Sequence, residues 1–420
     1  MADLDNLLRK AEKRVDQAEL YHEKSSHLII KTKTNGIDYS MSGESEGYSL
    51  RVIQNGRMGF SFFTLPSSFE KALDDAINAS KFSRKSGASF PARKKLKDVK
   101  GLYNRKLLEI NENELADCLV QMIDAVKQTG AKSTENAVSR AENTSELLNS
   151  EGGYFRKKDT EINVWSSAQF RDSHSSDWKT SRGFFDMEPI AQNAADYAIK
   201  FSGGKPVSGE FEILLHPDAV TELLQNILFP ALNSEKVFRK TSFLSDKLNK
   251  AVCPKDISIL DDPLIAGGME SCCCDDEGVP SETRKIVDKG ILKRFMFDIE
   301  TAGLMKNKPG NGFKHGFSNP PHIRPTNLVI DAKENVKLKH FKGIFVYDLL
   351  AAHNVNSTTG DFALEIGQGT LYDGGMGKAI RSCSIVGNFF DLLKNVSMAD
   401  DFQTRDYYNG PSWIYRGKIV

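Results

Sequence analysis

Ser49-Leu50-Arg51-Val52-Ile53-Gln54-Asn55-Gly56-Arg57-Met58-Gly59-Phe60-Ser61-Phe62-Phe63 folds back on itself at Asn55-Gly56. Two apolar-rich runs flank that pair, and Asn-Gly suits a tight hairpin turn because both central residues need positive φ. Just beyond, Ser67 with Glu70 three positions later reads as a capping box that opens a helix. Phe69, Leu73, Ala76 and Ile77 give that helix one apolar face. A hairpin running straight into a helix, without regular strand-helix-strand alternation, points to an α+β fold rather than a parallel sheet.

The same mixture extends both ways. Upstream, Leu4, Leu7, Leu8, Ala11 and Val15 have helical spacing, within an amphipathic helix over residues 1–18. Strands follow at 27–34 and 37–42, turning at Asn35-Gly36. Downstream, residues 112–129 form a helix with Leu115, Leu119, Met122, Ile123 and Val126 on one face, stopped by Gly130. Strands at 144–149 and 154–170 turn at Gly152-Gly153. A helix starts at Pro189 and carries Ile190, Ala194, Tyr197 and Phe201. Ser202-Gly-Gly-Lys-Pro-Val-Ser-Gly209 then reads as a linker. Beyond it come a strand at 210–215, a helix at 217–232, and mostly short strands with Gly-rich turns. The expected division is an N-terminal domain of hairpins and helices at 1–202, a linker at 203–209 and a strand-rich C-terminal domain at 210–420.

A chain of 420 residues accommodates two such domains. Its 56 Lys and Arg balance 56 Asp and Glu, so no overall field draws polyanions and nucleic-acid binding is not expected. Residues 83–101 are locally basic, yet no aromatic alternates with the charges to stack bases, and a solvated connecting loop is the better reading. No run approaches the roughly 18 apolar residues of a membrane span, and residues 1–18 lack the apolar core of a secretory signal. Three of the six cysteines, Cys272, Cys273 and Cys274, are consecutive, unlike a disulfide framework. The expectation is a soluble, cytoplasmic protein with reduced thiols.

Four stretches invite a chemical reading. His22-Glu-Lys-Ser-Ser-His27 has zinc-protease letters, but five-residue spacing puts the rings about 140° apart on a helix. On a strand they lie roughly 16 Å apart. Neither arrangement shares one ion. His216-Pro217-Asp218 at a strand-to-helix junction reads first as a helix start. Cys272 to Cys274 read as buried strand cysteines, of which only Cys272 and Cys274 can converge, with nearby carboxylates raising their pKa values. Gly374-Gly-Met-Gly-Lys378 lacks the leading Gly and trailing Ser or Thr of a phosphate loop.

An ordered set of segments resembles the TldD/PmbA family, whose members are also labelled modulators of DNA gyrase. It comprises Ser49-Leu-Arg-Val-Ile53 with Gly56-Arg-Met-Gly-Phe-Ser61, then Ser242-Phe-Leu244, Asp261-Asp-Pro263 and Asp275-Asp-Glu-Gly-Val-Pro280. Gly290-Ile-Leu292, Thr301-Ala-Gly303, Pro325-Thr-Asn-Leu328, Asn356 with Thr359-Gly-Asp-Phe362, and Val386-Gly-Asn388 complete it. The resemblance implies subunits that work in pairs. TldD-type members carry His-Glu-x-x-x-His and hold zinc; PmbA-type members, also called TldE, lack it and pair with a TldD-type chain to trim unfolded or leader peptides. Here that motif would begin at His216. The base position is Pro217 and the second ligand position is Thr221. A zinc peptidase needs three protein ligands, an activated water and a base.

The resemblance therefore implies a non-catalytic, PmbA-like subunit, with no metal of its own and zinc in a TldD-like partner. Pairing with itself stays open. His216 and His353 remain weak catalytic candidates for an alternative, an active metallopeptidase with an unorthodox metal site. A gyrase-modulating or nucleic-acid-associated binding protein is a third reading. Asp262, Asp276 and Glu277 read as turn and cap residues. Their second role, shared with Asn356 and Asp361, is lining a peptide groove.

Overall fold

A computed structural model of the chain describes residues 4–333 and 336–420. Its first half is one antiparallel sheet of β1 (Gln17–Lys33), β2 (Gly36–Gln54), β3 (Arg57–Phe63), β4 (Lys132–Asn149), β5 (Tyr154–Phe170) and β6 (Ser173–Ser181). The strand order is β3-β2-β1-β4-β5-β6. Helices α1 (Leu4–Glu12) and α2 (Phe69–Ser80) cover one part of it, burying Leu7, Leu50, Phe69 and Leu73. After the short α3 (Arg105–Glu109), α4 (Glu112–Gln128) and α5 (Glu188–Lys200) cover another, burying Leu119, Met122, Val164 and Ala194. The mixture of hairpins and helices expected from sequence is present.

Several local expectations need correction. Residues 37–42 and 49–53 are not separate strands but parts of the 19-residue β2, whose pairing with β1 runs through the Gly- and Glu-rich segment between them. The second hairpin does turn at Asn55-Gly56, with φ of 53° and 72°. The first turns one residue earlier than expected, with Thr34 at φ 59°. The opening helix ends at Glu12, and Ala18 already belongs to β1. The Ser67–Glu70 box does not form, because a 3-10 turn over Pro66–Ser68 makes Ser68 the cap, without a side-chain bond. A capping box forms instead at Asn111 and Glu114. Strand β6 is hidden in the sequence by its polar composition. Its inward residues Ser175 and Asp177 are buried on tertiary partners rather than on apolar neighbours.

The second half holds two larger sheets and, among the described residues, a two-stranded one that pairs Gly312–Phe313 with His322–Ile323. One runs in the order Ile291–Leu292, Arg284–Asp288, Ile257–Asp261, Leu328–Ala332, Tyr408–Gly410, Gln403–Arg405. The other is centred on β7 (Gly209–Leu215), between Lys342–Leu350 in parallel and Trp413–Ile419 antiparallel. Between the sheets runs α6 (Pro217–Leu223), continued by a π-turn over Leu224–Leu228 and a last turn over Phe229–Leu232. Val220, Leu223 and Ile227 sit in one core with Ile213 and Leu215 of one sheet and Ile259 and Leu328 of the other. No helix among the described residues is long and apolar enough to cross a membrane.

Buried charge joins the two halves. Arg51 of β2, 2% exposed, is clasped through Nε and Nη2 by Glu19 of β1 at 2.7 and 2.8 Å. Its Nη1 reaches Glu277 of the second half at 2.5 Å. Glu277 also accepts the amide of Ile299 at 2.8 Å. Beside it, Lys157 of β5 bonds Asp276 at 2.8 Å. Burial pushes the Glu277 carboxyl up to about 8, against the pull of Arg51. Removing one member of such a group strands the others, at a cost of about 3–5 kcal/mol. Arg51→Met is therefore expected to lower denaturant-measured stability by about that amount, and Glu277→Gln, which keeps a hydrogen bond, by clearly less. A carboxyl that binds its proton more tightly folded than unfolded stabilises most below its unfolded pKa, and loses that contribution as pH rises through its folded pKa. Relative to Glu277→Gln, the natural chain should thus lose stability between about pH 5 and 8, read from denaturation midpoints across that range.

Candidate functional site

At the end of β7 the chain turns into α6, and His216 is the hinge. Its amide donates to Val346 O at 2.9 Å, the last bond to the neighbouring strand. Its Nδ1 accepts the amide of Asp218 at 3.3 Å, so the ring caps the helix, and Pro217 fills the first helical position. The imidazole stacks on Tyr347 at 4.6 Å, and burial holds its pKa below the usual histidine value. Asp218 carries a bidentate partner: Arg405 Nε and Nη2 lie 3.0 and 2.9 Å from its two oxygens. The same guanidinium reaches Asp177 of β6 at 2.9 Å and lies over Trp178 at 5.1 Å.

Zinc does not fit these residues. The helix-capping Nδ1 of His216 is engaged, Pro217 has no carboxylate, and the Thr221 hydroxyl donates to Asp218 O at 2.8 Å. The carboxylate nearest the junction, Asp218, is already paired with Arg405. Among the described residues, no three of His, Cys, Asp and Glu are arranged to share a metal ion. What the site can do is hold fixed charge in a largely dry place. Asp348, with one oxygen unpartnered, is pushed up to about 6 by burial, with Asp218 and Glu222 adding to the rise. Sequence reading missed Arg405, Asp177, Tyr347 and Asp348. The first two lie 187 and 41 residues from Asp218, and no local pattern joins them.

The remaining candidates fall in separate places. His353 sits exposed in a 3-10 turn over Ala352–Asn354, close enough that its charge acts on Glu222 of α6. Burial, the larger effect, still raises that carboxyl. Asp262 is a turn residue whose Oδ1 accepts the Leu264 amide at 3.0 Å and the Thr283 hydroxyl at 2.8 Å. Asp276 and Glu277 are directed into the junction between the halves, on Lys157 and Arg51. Asn356 and Asp361 close one exposed turn: Asn356 accepts the amides of Thr358 and Thr359, and Asp361 accepts the Thr359 hydroxyl at 2.6 Å.

The cysteine run and the basic run also differ from expectation. Cys272 to Cys274 lie in an irregular loop, not a strand, so neighbours converge: Cys273 Sγ and Cys274 Sγ are 3.9 Å apart. Burial pushes Cys272 up to about 11. Cys273 goes the other way, because the Cys274 thiol bonds it and the Lys157 ammonium is near. In the basic run, Arg84 is tied to Glu235 and Glu300 of the second half. Arg93 lies 5.8 Å over the ring of Tyr154, an aromatic that the fold brings to the run from β5.

Comparison with known proteins follows this geometry. Residues 208–418 match the model of the PmbA/TldA metallopeptidase C-terminal domain, and residues 18–81 match that of PmbA/TldA metallopeptidase domain 1. An uncharacterized protein of Methanocaldococcus jannaschii is 28% identical over 100% of both chains. A metalloprotease of Methanothermobacter thermautotrophicus is 24% identical, covering 95% of this chain and 91% of its own. The crystal structure of TldE from Thermococcus kodakarensis superposes with a TM-score of 0.89 over 100% of both chains, at 22% identity, a likeness of fold. With its C-terminal model covering half the chain and its first-domain model matching as well, the protein belongs to the TldD/PmbA family of metallopeptidases.

Proposed function

We propose that this chain is the non-catalytic, TldE-like subunit of a two-subunit zinc metallopeptidase that trims unfolded or leader peptides in the cytoplasm. Zinc, the activated water and the general base belong to a TldD-type partner. The observation that carries this reading is the junction at His216. The base position is Pro217, the second ligand position is Thr221, and Arg405 pairs with the neighbouring Asp218. A chain built this way contributes shape, charge and peptide contacts to a shared chamber. The name of the Thermococcus neighbour, TldE, agrees with that side of the family.

An exposed sheet edge supports the peptide part. Strand β3 pairs only with Tyr48–Gln54 of β2, so residues 37–46 have β1 on one side and no strand on the other among the described residues. Ile37, Tyr39 and Met41 alternate along this edge, each more than two-fifths exposed. An extended peptide adds to such an edge by main-chain bonds, which suits binding with little sequence preference.

Two measurements test the assignment. Protein purified alone, without a metal-binding tag, should carry less than about a tenth of a zinc ion per chain. Near-stoichiometric zinc, lost on substituting His216 or His353, would make the chain an enzyme in its own right. Co-purification from the native source should recover a second family member bearing His-Glu-x-x-x-His, and recovery of this chain alone or only as a self-dimer would overturn the pairing.

A further inference from the structure

The loop that brings Asp275, Asp276 and Glu277 to the junction between the halves opens with three thiols. Its backbone is pinned around them. The Cys272 amide donates to Pro263 O at 2.9 Å, the Ser281 amide to Cys273 O at 3.0 Å, and the Asp275 amide to Val279 O at 3.0 Å. The sulfurs therefore stand in a fixed arrangement. Cys273 Sγ and Cys274 Sγ are 3.9 Å apart, whereas Cys272 Sγ is turned to Ser281 Oγ at 3.5 Å. Cys274 is fully buried with Tyr21, Leu147 and Phe155. Cys273 packs at the edge of that cluster and is partly exposed.

The two neighbours differ in acidity. The hydrogen bond from the Cys274 thiol lowers the Cys273 pKa to about 6. Lys157 and the amides of Cys273 and Cys274 add to the fall, against the opposing effect of burial. Lys157 is shared with Asp276 Oδ1 at 2.8 Å and Asp275 O at 3.1 Å, and its charge still acts on all three thiols. Burial, and the bond it gives to Cys273, push Cys274 far the other way, with Asp275 adding to the rise. At neutral pH the pair is thus one accessible thiolate beside one buried thiol. A nucleophilic sulfur with a second sulfur poised to resolve it is the arrangement of an oxidation-sensitive site.

We propose that Cys273 and Cys274 form a reversible oxidation site for hydroperoxides, closing to a disulfide between chain neighbours. The Cys273 thiolate attacks a peroxide oxygen, the O–O bond breaks, and the departing hydroxide or alkoxide takes a proton from water. Cys273 is then a sulfenic acid, oxidised by two electrons. The Cys274 sulfur attacks the Cys273 sulfur, the S–O bond breaks, and the departing hydroxide takes the Cys274 proton and leaves as water. Two thiols and one hydroperoxide give one disulfide, one water and one alcohol, or a second water where the oxidant is hydrogen peroxide. Neighbouring Cα atoms are about 3.8 Å apart, against roughly 4.4–6.8 Å in most disulfides, so the ring is strained and thiols reopen it.

The test uses the full chain as purified, with any partner it brings, reduced and then exposed to dilute hydrogen peroxide at neutral pH. Mass spectrometry of the peptide holding residues 272–274 should show the loss of two hydrogen atoms, regained with dithiothreitol. Cys272→Ser should leave that change intact. Cys274→Ala should stop at a Cys273 sulfenic acid, captured by dimedone, and Cys273→Ser should leave the peptide reduced. Iodoacetamide should alkylate Cys273 of the untreated chain at least about tenfold faster than Cys118 or Cys272. Burial holds those two thiols protonated. A disulfide that still forms in Cys273→Ser, or direct passage of Cys273 to sulfinic acid with Cys274 still a thiol, overturns the assignment. So does a Cys273 that stays reduced under peroxide that oxidises Cys118.

Discussion

The architecture depends on a buried guanidinium. Arg51 stands between Glu19, its neighbour across the first sheet, and Glu277, which arrives from the second half 226 residues later. Taking these charges out of water is costly, and the group persists because its bonds are short and directional. Charge placed in this way demands registry. An apolar contact tolerates sliding by an ångström, whereas a buried ion pair does not. The loop that carries Glu277 also carries Asp276 on Lys157 and Asp275, whose oxygens take the amides of Val279 and Gly312. The two halves are thus held in one relation by carboxylates from a single loop.

A second guanidinium does related work at the other end of the junction. Arg405 bridges Asp218, in the first turn of α6, and Asp177 of β6. It therefore ties α6 to the N-terminal sheet. A permanent cation held between two carboxylates is a filled ion-pair site, which can organise a wall.

Much of this was legible locally. Asn55-Gly56 specified its hairpin because few other pairs accept two successive positive φ values. The spacing of Leu115, Leu119, Met122 and Val126 specified α4, and strand β5 began and ended where its pattern did. Misreadings had physical causes. The segment between residues 42 and 49 looks like a loop because Gly and Glu disfavour strands, yet β1 supplies a continuous partner that overrides propensity. Strand β6 escaped notice because its buried residues are polar and satisfied by distant groups. Of the candidate site, His216 as a helix cap and Asp262 as a turn residue were readable from neighbours alone. Arg405, Tyr347 and the contact of Cys273 with Cys274 were not.

The amino-acid sequence by itself determined the α+β class and the family resemblance. Those properties reside in residue identity, short-range periodicity and turn stereochemistry, which act over a few positions. Only the tertiary structure decided which partners Asp276, Glu277 and Asp218 meet. A carboxylate has the same covalent chemistry in a turn or in an ion pair. Its role is set by which distant cation the folded chain brings to it.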